Sequence, residues 1–227
     1  MTTPFHPRHF DRIIWSNRLL TPCNALNCGS GAMTCMDQTI ATLLEESSRL
    51  KASLAQSPEF RTSVAAAYKL IEATVQAGGT VYACGNGGST CDAMHLCEEL
   101  VARYKRNRRG IRAMHFMDPS MLTCWGNDVG FDDAFARCAE TFCTDRDVLI
   151  AISTSGNSKN VLAAAAKAKE KGAKVIGLLG KDGGKLRGES HAAIVVPAQA
   201  TERIQEAHIT VIHIWCELLE TIGPAKS

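Results

Sequence analysis

What the chain lacks narrows the field first. No apolar run in its 227 residues reaches the roughly 18 that a membrane-spanning helix needs, so no membrane is expected. No Gly-Lys-Ser/Thr triplet follows a glycine-rich stretch, which removes the P-loop nucleotide pattern. No Cys-x-x-Cys pair occurs among the ten cysteines, so a cysteine zinc site is not expected. No secretory signal is evident, and the chain is too long to need disulfide staples. The cysteines are therefore read as reduced, mostly buried thiols of a cytoplasmic protein. Strong charge is missing as well: a formal +2 gives no reason to expect a nucleic-acid partner. What is present is a 45% hydrophobic content, enough for a sizeable core in one domain, or one domain with a tail.

Residues 1–35 differ from the rest. Arg8, Arg12 and Arg18 meet a single acid, Asp11, and Pro4, Pro7, Pro22, Gly29 and Gly31 interrupt any helical period. Arg-rich, acid-poor composition is that of a transit peptide, but a mis-assigned start or an added segment fits better, with Met33 and Met36 as alternative starts. This extension is expected to be disordered, and residues 36–227 to form the domain.

From Asp37 to Ala55, Ile40, Leu43, Leu44, Leu50 and Leu54 gather on one side of a helix, which Ser57-Pro58 ends. Val64, Ala67, Leu70, Ile71 and Val75 define a second helix, stopped by Gly78-Gly79. Both precede the first strand, and their apolar faces call for a partner such as another subunit. Strands then alternate with helices. Thr80–Cys84, Ile111–Phe116, Asp147–Ile152, Lys174–Leu179 and Ala192–Val196 read as strands, and 89–104, 158–171 and 200–222 as helices. Short β-branched strands between helices predict an α/β fold, a five-stranded parallel sheet covered on both faces.

The stretch Cys84–Leu100, CGNGGSTCDAMHLCEEL, joins the first strand to its helix through a glycine loop. Such a junction points free backbone N–H groups and a helix N-terminus at an anion. The dinucleotide pattern would need glycine where Thr90 stands, and a plain tight turn is the competing reading of this loop. The third strand ends in Ser153-Thr154-Ser155-Gly156-Asn157-Ser158, whose hydroxyls suit a phosphate, although Ser158 also suits a helix N-cap. In the strand order 2-1-3-4-5 the two loops meet at the switch point of the sheet. Neither carries a cationic cradle, so one phosphate on a small molecule is expected.

His95 and Glu99 are four apart and share one helical face. Such a pair can bind a metal or work as acid and base, or it can be a half-buried histidine beside a salt-bridging glutamate, with Arg103 as the partner of Glu99.

CGNGGSTCDAMHLCEEL, GND at 126–128, ISTSGNS at 152–158, GKDGG at 180–184 and RIQEAHITVIH at 203–213 together resemble the phosphoheptose isomerases, a branch of the sugar isomerase (SIS) domain family. The resemblance covers about residues 37–220. It implies a three-layer flavodoxin-like α/β/α sandwich and a homotetramer. It implies conversion of D-sedoheptulose 7-phosphate to D-glycero-D-manno-heptose 7-phosphate, the first step towards nucleotide-activated heptose for bacterial surface polysaccharide. By motif, Asn86, Gly87, Gly88, Asn127 and Asp128 would line the sugar phosphate, and Ser153, Thr154, Ser155 and Ser158 would hold its phosphate. His95, Glu99, Gln205 and His213 match the family's site for one zinc per subunit, with Gln205 also among the substrate contacts and Glu99 and His213 as the acid–base residues. Glu202 departs from the family pattern, where aspartate is expected before RIQE.

The residue types suit the chemistry. Moving a proton between adjacent carbons through an enediol needs a base, a proton shuttle and a stabiliser for the oxyanion. Gln205 and His213 are eight apart, about 80° around one helix and about 12 Å along it, which predicts that one of them serves a neighbouring subunit's site. His208 is read as a core histidine. Two rivals share the fold: an adaptor for the replication initiator protein, and a sugar-phosphate sensor. Neither needs Glu99 and His213 together.

Overall fold

The structure, a computed structural model, describes residues 34–222. The expectation for the N-terminal extension thus falls outside the described residues except at its last two positions. By its contacts the chain divides into Met1–Leu43 and Leu44–Ser227. The described part of the first unit is helical from Cys35. Thr34 and Asp37 cap it reciprocally, Asp37 N–H donating to Thr34 Oγ1 at 3.2 Å and Thr34 N–H to Asp37 Oδ2 at 3.3 Å.

Helix α1 runs Cys35–Gln56 and α2 runs Pro58–Gln76. Ser57 separates them: its hydroxyl accepts from Phe60 N–H at 3.1 Å, and Pro58 takes the first helical position, where its missing N–H costs nothing. There follow β1 (Val81–Gly85), α3 (Gly88–Val101), β2 (Ala113–His115), α4 (Pro119–Asp128), α5 (Ala134–Phe142), β3 (Val148–Ser153), α6 (Lys159–Glu170), β4 (Lys174–Gly180), α7 (Gly184–Glu189), β5 (Ala192–Val196) and α8 (Thr201–Leu219). The five strands are all parallel in the order β2-β1-β3-β4-β5, the order expected. Every residue of β1 and β3 is buried, because helices cover both faces. One face packs Ile71, Leu96, Leu100 and Trp215, from α2, α3 and α8. The other packs Phe135, Cys138, Ala164, Ala165 and Leu186, from α5, α6 and α7. Among the described residues no helix is long and apolar enough to cross a membrane.

Three differences from expectation have physical causes. The helix after β1 stops at Val101, not Tyr104, because the Arg108 guanidinium takes the carbonyls of Glu99 and Leu100 at 2.8 and 2.9 Å. Strand β2 shrinks to three residues because Ile111 N–H bonds Leu100 O at 2.9 Å, not a neighbouring strand. Helices α4 and α5 fill a segment in which no element was expected. Asp118-Pro119 was the missed signal: Asp118 caps α4 through Met121 N–H at 2.7 Å, and proline follows at the first helical position.

Candidate active site

All five strands point their carboxyl ends the same way, so the loops leaving β1 and β3 emerge side by side, Gly85 opposite Ile152. In the β1 loop, Gly87 has φ 57°, a conformation that favours glycine, and turns the chain into α3. A Cβ on Gly88 would run into the Gln205 side-chain amide, so glycine there lets α8 approach. Thr90 Oγ1 donates to Gly85 O at 2.7 Å and closes the turn. Asn86 exchanges two 2.8 Å hydrogen bonds with Asn160 in the first turn of α6.

In the β3 loop, Ser158 sits at the N-cap of α6, yet its hydroxyl makes no cap bond. It meets Ser153 Oγ at 3.0 Å. Gly156 N–H donates to Ser153 Oγ at 3.1 Å and Asn157 N–H to Ser155 Oγ at 3.2 Å. Behind this loop, Asn157 Oδ1 accepts from Lys185 N–H at 3.1 Å and Gly156 O from Leu186 N–H at 3.0 Å, fixing it against α7. Asn127 and Asp128 lie exposed on the last turn of α4, where Asn127 Nδ2 donates to Asp128 Oδ1 at 2.8 Å.

Helices α3 and α8 run parallel: Gly88 meets Gln205 at one end of the seam, and His95 meets His213 further along. His95 Nε2 lies 3.2 Å from Glu99 Oε1 and 3.4 Å from His213 Nε2. One ligand atom from each of the three residues falls within 4.8 Å of the others, so a possible His/Glu/His metal site lies within one chain. Gln205 is placed apart from it: it packs on Gly88, seven residues before His95 and about 10 Å away along the helix axis. Tyr104 stacks over His213, centroid to centroid 6.0 Å at 28°.

Two imidazole nitrogens and a carboxylate oxygen converging this closely need a cation or proton between them, since lone pairs would otherwise face lone pairs. The donor set fits a borderline divalent ion such as zinc.

Sequence reasoning missed several supporting residues. Asp92 lies on the same α3 face, four after Gly88 and three before His95. It is buried, its Oδ2 has no partner among the described residues, and burial raises its pKa to about 6. That i, i+4, i+7, i+11 stripe of Gly88, Asp92, His95 and Glu99 was readable. Arg108 was not, being separated from its partners by loop residues. Buried itself, it pairs through Nε with the buried Glu220 at 2.9 Å and thereby ties the end of α8 to the end of α3. His208 is fully buried, and its Nε2 bonds Leu179 O at 3.0 Å.

Comparison with known proteins places this arrangement. The SIS domain family model matches residues 45–180. A phosphoheptose isomerase of Cytophaga hutchinsonii is 45% identical over 186 residues, covering 82% of this chain and 97% of that one. The phosphoheptose isomerase of Escherichia coli K12 is 53% identical over 152 residues, 66% of this chain and 79% of that one. The structure of the phosphoheptose isomerase from Neisseria gonorrhoeae superposes with a TM-score of 0.77 at 34% identity, covering 82% of this chain and all of that one.

Proposed function

The chain belongs to the SIS domain family and, within it, to the phosphoheptose isomerases, and from that premise we propose how its residues carry the reaction. The enzyme converts sedoheptulose 7-phosphate to the corresponding aldose, D-glycero-D-manno-heptose 7-phosphate, supplying heptose biosynthesis. The observation that carries the assignment of roles is the convergence of His95, Glu99 and His213, on the helix that starts at the glycine loop and its parallel neighbour.

The phosphate sits between the β1 and β3 loops, held by backbone N–H groups near Gly87 and Gly88 and by the hydroxyls of Ser153, Thr154, Ser155 and Ser158. The helix N-termini of α3 and α6 add partial positive charge where no basic side chain is offered. Asn127 and Asp128 contact sugar hydroxyls, and Gln205, beside the glycine loop, contacts the sugar between phosphate and reacting carbons. Glu99 and His213 share the proton transfers. One removes the C1 proton as the other protonates the C2 carbonyl oxygen, giving the enediol. The proton is then returned to C2 while O1 loses its own, and the aldose results with no net gain or loss of atoms. His95, Glu99 and His213 would hold zinc, with Gln205 reaching it only by rearrangement or from another subunit. Zinc, when bound, supplies a Lewis acid for the carbonyl oxygen.

A homotetramer with active sites near its interfaces is part of this proposal. What supports it is an apolar groove of about 410 Å³ lined by Leu54, Phe60, Val64, Val211, Ile214 and Leu218, a surface suited to further copies of the chain. Cytoplasmic location is supported by Cys84, Cys97, Cys138, Cys143 and Cys216, which are buried thiols and not disulfides.

The test uses purified protein, sedoheptulose 7-phosphate and a chelator. Wild type is expected to isomerise it, and Glu99→Gln to lose about 10²–10⁴-fold in kcat with KM little changed. Activity that survives in Glu99→Gln would end the assignment of roles. An inactive wild type that still binds the sugar phosphate would end the enzyme reading in favour of a sensor or adaptor.

A further inference from the structure

The β1 and β3 loops are joined by a bond that ligand binding does not require. Asn160 is 3% exposed. Its Nδ2 donates to Asn86 Oδ1 and its Oδ1 accepts from Asn86 Nδ2, each at 2.8 Å, while the same Oδ1 also accepts from Val161 N–H at 3.0 Å. A primary amide has one oxygen with two lone pairs and one NH2 group. The Asn160 oxygen is therefore full, and Asn86 gives one N–H and one oxygen lone pair of its amide to Asn160. Beyond the strand ladder itself, no other hydrogen bond among the described residues links 85–90 with 153–161. The remaining bonds of the β3 loop stay within it or go to α7.

The geometry points to a division of labour inside Asn86: its main chain belongs to the ligand loop, and its side chain belongs to Asn160. We infer that the Asn86–Asn160 pair is a strut that sets the gap between the two loops and so the affinity for the substrate's phosphate. Asn160 is then a positioning residue that touches no ligand. Pairing matters because a buried amide deprived of its partner must either move or remain unsatisfied, and either outcome shifts the loop. The inference rests on the reading of these loops as the phosphate site.

The test is a double-mutant cycle with Asn86→Ala, Asn160→Ala and the double variant, following KM and kcat for sedoheptulose 7-phosphate and Kd for inorganic phosphate. Each single change is expected to raise KM and the phosphate Kd about tenfold with kcat within about threefold, and the double variant to be no worse than the weaker single. Asn160→Asp is the second variant should Asn160→Ala fail to fold. It keeps the accepting oxygen but loses the return donor, and it is expected to weaken phosphate further by adding a negative charge. Unchanged constants in Asn160→Ala and Asn160→Asp would overturn the strut. So would effects of the two single alanine changes that multiply in the double variant, because the Asn86 amide would then touch the ligand itself. A wild type that binds phosphate but does not isomerise would overturn the activity alone, and the phosphate Kd series would still decide the strut.

Discussion

The two halves of the site are built on opposite terms. The loops at the carboxyl edge of the sheet are held by neutral groups, amide to amide and hydroxyl to hydroxyl, and each bond is satisfied without a ligand. The α3–α8 seam gathers ionisable groups. His95, Glu99 and His213 converge, Asp92 lies buried with an oxygen that has no partner among the described residues, and Arg108 and Glu220 brace the far end as a buried ion pair. A neutral site can be preorganised at little electrostatic cost. A site of ionisable groups depends more on its surroundings, because burying such groups is costly unless each keeps a partner, as Arg108 keeps Glu220 and His95 keeps Glu99.

That contrast can be broken at three points. The largest effect is expected from Glu220→Ala, which leaves the Arg108 guanidinium buried without its carboxylate. Losing one partner of such a pair costs about 3–5 kcal/mol, a melting temperature lower by about 6–20 °C in a domain of this size, with the phosphate Kd of the folded protein unchanged. A simultaneous loss of phosphate binding would show that seam and loops are a single unit. The next concerns pH. Burial holds the His208 pKa down at about 4, from an ordinary 6.5, so the unfolded chain takes up the proton first as pH falls. The stability contributed by this neutral histidine is fully present above about pH 6.5 and is lost between there and pH 4, on the order of 3 kcal/mol in all. His208→Gln is expected to flatten that part of the stability–pH curve measured by urea unfolding. An unaltered slope would assign acid sensitivity elsewhere. The smallest stability change belongs to Gly88→Ala. The added methyl displaces the flexible end of Gln205, not backbone, so the melting temperature should stay within about 2–4 °C, while kcat/KM falls about tenfold. Unimpaired turnover would free Gln205 from any role in the reaction.

The layers of the fold were legible because strand and helix periods are local. Thr80–Cys84 and Ala192–Val196 needed only their β-branched runs; alternation implied a parallel sheet, and the 2-1-3-4-5 order, adopted as the common one for such sheets, is the order observed. The ends of elements were not legible where a distant side chain decides them. The stop at Val101 depends on Arg108, and no local pattern announces that a guanidinium will take the carbonyls of Glu99 and Leu100. At the candidate site, His95 and Glu99 were readable from their spacing of four, and His213 entered through the family motif. The convergence of the three depends on α3 and α8 lying parallel, a property of the whole sheet. Asn160 was invisible for the same reason: its significance lies in Asn86, which the chain places far away in sequence and the sheet brings next to it.

The parallel run of α3 and α8 has one more consequence. Their peptide dipoles point the same way, so the seam carries a built-in electrical polarity from end to end. Its start, beside Gly88 and Gln205, is the positive pole, and its finish, where Arg108 meets the carbonyls of Glu99 and Leu100 and the carboxylate of Glu220, is the negative one. On the proposed reading of the glycine turn as the phosphate site, this polarity favours a bound polyol phosphate with its anion at the start of the seam and its carbonyl end towards the two histidines.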